Sequence, residues 1–224
     1  MIAAGVSAAA ISVSPVRIRL TGSAARTITI TNAGNAVASV DARPASFVLD
    51  PRGKPAIAPA RESAAGWLRL HPRLVALAPG GTAVVTVSSG APPGALPGDH
   101  PALVLFTTRP PRGGGLAIRM RIGVVVFVRV AGRIVHRLEF GGLKVRRRAL
   151  EVIVANRGNV VERAHVRIFL LHGGRVVARL DSSPRTLLPH SRAVDRFRRP
   201  GRLRGWLTAR VELQGVRRIL RIRL

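Results

Sequence analysis

Cysteine and tyrosine are absent from this 224-residue chain, and lysine and acidic residues are scarce. The lack of cysteine excludes disulfide frameworks, thiolate zinc sites and cysteine nucleophiles. It does not exclude export, because an exported protein need not contain disulfides. Only Lys54 and Lys144 are lysines among 37 basic residues, which outnumber 10 acidic residues and give a formal net charge of +27. This arginine excess makes a polyanionic partner the first hypothesis to test.

Long apolar runs are also missing. The longest wholly apolar run lies between Arg121 and Arg129 and is far shorter than the roughly 20 residues of a membrane helix. We therefore expect no membrane span. Residues 1–10 are short, apolar and rich in alanine, which is typical of the end of a secretory signal. We interpret them as a signal-peptide remnant, with a disordered alanine-rich terminus as the alternative.

Sequence signatures of catalysis are not found. The chain contains no G-x-S-x-G elbow, no H-E-x-x-H motif and no phosphate-binding loop. Its six histidines are dispersed, so we expect no metal site and no cofactor. Asp99 and His100 follow Pro97-Gly98, and we interpret them as a solvated turn rather than a catalytic dyad. The chain is predicted to be non-enzymatic.

Alternation of apolar and polar residues with period two dominates the sequence and predicts strands. Residues 11–14 and 16–20 alternate on either side of Pro15, which indicates an edge strand or a strand break there. Many further short strands are separated by Gly, Pro and Asn turns, a pattern typical of an antiparallel sandwich. Phe106, Phe127 and Phe169 lie among apolar residues, so we expect them in the core.

The Pro- and Gly-rich residues 109–115 are interpreted as a hairpin loop. The strand after it, residues 117–130, is predicted to pair with residues 102–107 and to complete the first domain. The connection to the second domain then falls within residues 131–143.

An internal repeat supports two domains. Asn32-Ala-Gly34-Asn35 recurs as Asn156-Arg-Gly158-Asn159, and a later Leu-Pro motif with an Ala-Val pair recurs as well. Because Asn and Gly tolerate positive φ, we interpret N-x-G-N as a turn that closes one strand. The predicted fold is all-β, with two tandem immunoglobulin-like antiparallel β-sandwich domains over residues 11–132 and 133–224.

Arginines that alternate with apolar residues suit half-buried strands that carry charge on the other face. The candidate sites for an anionic ligand or a partner are on the first strand, around the strand after the loop, and in the densest basic cluster: Arg17, Arg119, Arg121, Lys144, Arg146, Arg147 and Arg148. Nucleic acid is the least favoured partner, since single-strand binders add stacking aromatics to a basic groove. Only residues 196–199 interleave basic and aromatic residues in the sequence.

An ordered series of motifs runs through the first domain: Ser12-Val-Ser-Pro15 with Arg17, residues 27–35, Gly66-Trp67-Leu68, Leu77-Ala-Pro79-Gly80, Pro97-Gly98-Asp99-His100 and residues 122–132. The series resembles the peptidoglycan-binding-type first domain of the WxL-interacting surface proteins of Gram-positive bacteria, especially actinobacterial relatives. This resemblance implies a second immunoglobulin-like domain and cell-wall binding. The main functional prediction is thus a non-enzymatic, extracytoplasmic protein that recognises a cell-wall polymer or a surface-protein partner.

A wider resemblance is to the periplasmic pilus chaperones, which also place two immunoglobulin-like domains in a chain of this length. It implies an alternative function, the binding of subunits by strand addition. A subunit-binding basic pair would then lie on the first strand and near the strand that leads into the second domain, for which Arg17 and either Arg119 or Arg121 are the nearest candidates. Polyanion or nucleic-acid binding through the basic surface is a second alternative.

Overall fold

The computed structural model describes residues 10–109 and 119–224. The chain divides into two compact units. The first contains the residues up to Val48 and Ile57–Gly132, and the second contains Leu49–Ala56 and Arg133–Leu224. The suggested signal remnant, except for Ala10, and residues 110–118 of the suggested hairpin loop lie outside the described residues.

The first unit is built from two facing sheets, one of order β1-β3-β9-β7 and one of order β2-β11-β10-β4-β8. Their strands are β1 (Ile11–Ser14), β2 (Arg17–Thr21), β3 (Arg26–Asn32), β4 (Ala38–Ala45), β7 (Leu68–His71), β8 (Leu74–Leu77), β9 (Thr82–Ser89), β10 (Gly98–Arg109) and β11 (Arg121–Val130). A separate pair is formed by β5 (Phe47–Leu49) and β6 (Pro55–Ile57), and a single 3-10 turn spans Ala65–Trp67. As predicted, the chain breaks at Pro15, after which β2 joins the other sheet.

The second unit contains a sheet of order β12-β13-β18, a sheet of order β16-β15-β19-β20 and the pair β14-β17. Its strands are β12 (Leu138–Val145), β13 (Ala149–Asn156), β14 (Glu162–Ala164), β15 (Val166–His172), β16 (Arg175–Asp181), β17 (Arg185–Leu187), β18 (Arg192–Arg198), β19 (Trp206–Leu213) and β20 (Val216–Arg223). The predicted fold class, all-β with two tandem immunoglobulin-like sandwiches, is confirmed. No helix within residues 10–109 and 119–224 combines the length and apolar character needed to cross a membrane.

In the two large sheets of the first unit, β2 and β11 pair in parallel. All other neighbouring strands of these two sheets pair antiparallel. The predicted hairpin pairing is confirmed: β10 and β11 pair from Gly98↔Val130 to Thr107↔Arg121. Alternate residues of β11 point into the sandwich, where Val124, Val126 and Val128 are buried in its core. The remaining residues of β11 point to the outer face of the sheet.

The aromatic residues divide between core and surface. Phe106 is fully buried in the first core, as predicted. The same prediction is wrong for Phe169, which is half-exposed on the outer face of its sheet. The guanidinium groups of Arg210 and Arg179 lie 4.4 and 5.3 Å from the centroid of its ring. The neighbours Ile168 and Leu170 supply the buried face of that strand.

The repeated N-x-G-N motif is a buried side-chain clamp. Asn32 ends β3 with no exposed surface, and its Oδ1 accepts a hydrogen bond from the Gly34 amide at 3.0 Å. Its Nδ2 donates to the carbonyl oxygen of Ala36 at 2.8 Å. The same Nδ2 lies 3.1 Å from the carbonyl oxygens of both Leu77 and Ala78. The two parts of the sequence repeat therefore meet in space.

The second copy uses the same contacts. Asn156 is also fully buried, and its Oδ1 accepts from the Gly158 amide at 2.9 Å. Its Nδ2 donates to the Val160 carbonyl at 2.7 Å and reaches that of Leu188 at 3.1 Å. None of the Asn and Gly residues of either motif has positive φ, so the interpretation by left-handed backbone is wrong. The asparagine amide, rather than backbone freedom, shapes the turn.

Replacing Asn32 with alanine leaves several buried carbonyl groups without a donor, and each unpaired group costs about 1–3 kcal/mol. We expect Asn32→Ala to lower the free energy of unfolding of the first unit by about 2–4 kcal/mol. Urea denaturation followed by Trp67 fluorescence, in a Trp206→Phe background, measures this unit alone. The matched variant is Val37→Ala, at an exposed position just after the same motif, and an equal loss in both variants would contradict the clamp.

Candidate functional site

One edge of the five-stranded sheet of the first unit is only partly covered. Strand β2 pairs with β11 over Val125–Arg129 and stops there. The Val125 amide donates to the Val16 carbonyl at 3.0 Å, so the backbone N–H of Val125 points to the edge of β11 that β2 covers. Because backbone groups alternate between the two edges of a strand, Arg121 and Gly123 direct their N–H and C=O groups to the same edge. No other strand in the described part of the chain pairs with them there.

This open edge is flanked by two different rows of side chains. Met120 and Ile122 continue the inward row, but they are only half-buried against the core. Val13, on the edge strand of the opposite sheet, is half-buried against the same core. On the outer face, Arg121 and Gly123 are exposed. The edge thus offers unpaired backbone groups, an incompletely covered apolar row and positive charge.

A cluster of charged residues lies where β2 and β11 run side by side. Asp99, at the start of β10, is 1% exposed. Arg129 binds it with both arms of its guanidinium, at 2.5 Å from Nε to Oδ1 and 2.9 Å from Nη2 to Oδ2. Arg19 lies 3.9 Å from the same carboxylate. The hydrogen bond to Asp99 raises the pKa of Arg129 above its ordinary value.

Arg17 is the free cation of this cluster. It is exposed and makes no ion pair within the described residues, while its guanidinium lies 5.9 Å from the centroid of the Phe127 ring. Phe127 itself is buried yet belongs to the outer row of β11, outside the core cluster of the sandwich. The register places Arg17 opposite Val125, at the point where the covered part of β11 begins.

The interpretation of Asp99 and His100 as a solvated turn is wrong. Both residues are buried in β10, which already begins at Gly98. His100 Nε2 lies 2.8 Å from the Leu96 carbonyl oxygen, and its ring centroid is 4.6 Å from that of Trp67. Ion pairing to Arg129 makes the burial of Asp99 possible, and this partner lies 30 residues away in the sequence.

Arg119 and Arg121 lie together in a different place. With Arg43 and Arg109 they line an outer-face groove of about 450 Å³ around Asp41. Asp41 accepts hydrogen bonds from Arg43 at 2.8 Å and from Arg109 at 3.2 Å, and the Arg43 hydrogen bond is the main cause that lowers the pKa of Asp41. Arg119 and Arg121 have no acidic partner among the described residues. Arg121 lies four residue steps along β11, about 13 Å, from Val125, the residue opposite Arg17.

The remaining predicted site residues lie in the second unit. Lys144 is exposed on β12, and Arg146, Arg147 and Arg148 form the exposed turn to β13. Arg146 is held by Glu151, with Nε 3.1 Å from Oε2. This cluster belongs to the second unit, whereas the groove and the Asp99 cluster belong to the first.

Sequence reasoning missed Arg19, Arg129 and Asp99. Arg129 closes the apolar run that begins after Arg121, which is the signal that could have identified it. The parallel register that brings it near Arg19 has no local signal.

The chain matches no model of a known protein family, and no curated protein matches it. Its fold is shared with solved structures of fimbrial chaperones over nearly the whole length. A chain from a chaperone–tip adhesin complex of CFA/I fimbriae biogenesis has a TM-score of 0.57 at 11% identity, covering 95% of this chain and 98% of that one. The class 5 fimbriae chaperone CfaA has a TM-score of 0.56 at 10% identity, with 96% and 98% covered. The YadV chaperone has a TM-score of 0.54 at 13% identity, with 96% and 99% covered.

These comparisons correct the main functional prediction. Cell-wall recognition is wrong as the leading interpretation, because the solved structures that share the fold include a class 5 fimbriae chaperone and the YadV chaperone. The resemblance to WxL-interacting proteins finds no support. The resemblance to pilus chaperones is supported at the level of a two-domain immunoglobulin-like fold.

Removing Arg129 leaves the buried Asp99 without its main partner. We expect Arg129→Met to lower the free energy of unfolding of the first unit by about 3 kcal/mol, since breaking a buried ion pair strands a charge. The comparison is Arg43→Met, which removes an arginine from the exposed Asp41 pair and should have a much smaller effect. Both are measured by urea denaturation with Trp67 fluorescence in the Trp206→Phe background. Equal effects would show that Asp99 does not depend on Arg129.

Proposed function

We propose that this protein is a non-enzymatic, extracytoplasmic assembly chaperone that binds a protein subunit by strand addition at the open edge of β11. The observation that carries the proposal is the edge of β11 at Arg121 and Gly123 that faces away from β10, which no strand of the described residues covers, beside the half-buried Met120 and Ile122. Supporting observations are the fold shared with fimbrial chaperones and the signal-like residues 1–10.

Strand addition uses two kinds of contact. Backbone hydrogen bonds to Arg121 and Gly123 supply affinity without sequence preference, and side chains in alternate positions supply specificity. An added strand would place its inward side chains beside Met120 and Ile122. The contact would complete a core that is only half-covered there, so apolar residues are favoured at these positions.

The direction of the added strand follows from Arg17. A strand that runs parallel to β11, as β2 does, points its C-terminus toward the start of β2. Its terminal carboxylate would then lie near the free guanidinium of Arg17, and charge-assisted pairing of arginine with carboxylate is strong and directional. Arg17 is therefore the proposed anchor for a C-terminal carboxylate. Arg19 follows two residues later on the same exposed face of β2 and adds further positive charge beside Arg17.

The apolar contact is tested with two matched variants. Ile122→Ser and Val75→Ser each remove a half-buried aliphatic side chain from the same sheet, the first from β11 and the second from β8, which is three strands away. The probe is a short synthetic peptide of alternating apolar and polar residues with a free C-terminus, and fluorescence anisotropy measures its binding. We expect Ile122→Ser to weaken binding about tenfold, in line with the loss of a buried aliphatic contact. Val75→Ser should bind as the unaltered protein does, and equal weakening by both variants would contradict binding at β11.

The anchor is tested by comparing this peptide with its C-terminal amide. The free acid should bind about tenfold more tightly, since a hydrogen bond between charged groups contributes about 1.5–3 kcal/mol. Arg17→Ala should abolish this difference, whereas Arg69→Ala, at an exposed position on the other sheet, should preserve it. An acid–amide difference that survives Arg17→Ala would remove Arg17 as the anchor.

A further inference from the structure

Four arginines occupy the outer face where the open edge begins. Arg43 and Arg109 are held by Asp41, at 2.8 and 3.2 Å. Arg119 and Arg121 line the same groove without an acidic partner in the described ranges. One carboxylate thus faces four guanidinium groups. The groove keeps an uncompensated positive charge next to the edge.

These arginines share one face of the sheet. Arg121 lies opposite Thr107 in the pairing of β10 with β11, and Thr107 lies opposite Asp41 in the pairing of β10 with β4. Residues opposite one another in a sheet point to the same side. Arg121, Thr107 and Asp41 therefore form one outward row. Arg119 precedes Arg121 by two residues and lines the same groove.

A strand added at the open edge would extend this row by one position. Its outward side chains would lie beside Arg121 and Arg119, at the separation of about 5 Å that is usual for directly opposed residues. Opposite charges at such positions are stabilising and like charges are destabilising. Its inward side chains would lie beside Met120 and Ile122, where charge would be desolvated against an apolar core.

We infer that Arg119 and Arg121 select a partner strand in which acidic residues alternate with apolar ones, the acidic residues facing the arginine groove. This inference rests on the strand addition proposed above and specifies the chemistry of the partner segment. With a parallel strand ending near Arg17, the acidic positions lie upstream of the partner's C-terminus, beside Arg121 and Arg119. The pattern is a negatively charged, amphipathic terminal strand.

The test compares how tightly two short peptides with free C-termini bind to the 224-residue protein. Both have valine at the inward positions, and they carry glutamate or lysine at the outward positions. We expect the glutamate peptide to bind about tenfold more tightly, given two cross-strand charge pairs. The double variant Arg119→Glu/Arg121→Glu should reverse the preference. The double variant Arg26→Glu/Arg69→Glu makes the same change in net charge on the other sheet and should retain it.

The outcomes separate this inference from the proposed function. If both peptides bind equally and Ile122→Ser weakens both, strand addition stands and charge selection is overturned. If neither peptide binds, strand addition and the selection built on it both fail. If the control double variant reverses the preference as well, overall charge rather than the groove decides, and the inference is wrong. Displacement of the glutamate peptide by a single-stranded oligonucleotide of equal charge, as readily as by unlabelled peptide, would overturn it by showing a general polyanion surface.

Discussion

Strand β2 runs parallel to β11 over five residues and begins at Arg17, opposite Val125. That length divides β11 into a covered half and an open half. The covered half brings Arg19 and Arg129 to the buried Asp99, and the open half leaves Arg121 and Gly123 at an unpaired edge. A β2 that began several residues earlier would close the edge. The proposed binding surface therefore depends on where one short strand begins, and Pro15 separates β1 from β2 just before that point.

Local signals in the sequence predicted much of the fold and less of the site. Short stretches of the sequence indicate the period-two alternation, the break at Pro15 and the pairing of β10 with β11. The structure confirms all three. Asp99 illustrates the limit, because Pro97-Gly98 is a turn signal while the residue that permits burial is Arg129. Periodicity in the sequence does not reveal an ion-pair partner that lies 30 residues away. Phe169 shows the same limit, since its alternation was visible but the side facing the core was not.

The internal repeat contained more information than its local interpretation. The two halves of the repeat, an asparagine motif and a distant Leu-Pro motif, recur together because the asparagine amide binds the carbonyl groups beside the leucine. This contact appears at Asn32 with Leu77 and again at Asn156 with Leu187 and Leu188. The asparagine motif and the Leu-Pro motif thus occur together in the sequence because they contact each other in the fold. Each motif alone resembles a turn that needs positive φ, but the backbone of both copies has none at these Asn and Gly residues.

The arginines at the open edge also affect how copies of this protein interact with one another. An unpaired strand beside an incompletely covered apolar row is a site at which identical chains can pair with one another. Two copies meeting edge to edge would bring Arg119 and Arg121 of one chain against the same residues of the other, and the repulsion would oppose their association. The same charges therefore disfavour pairing of two copies of this protein at the edge.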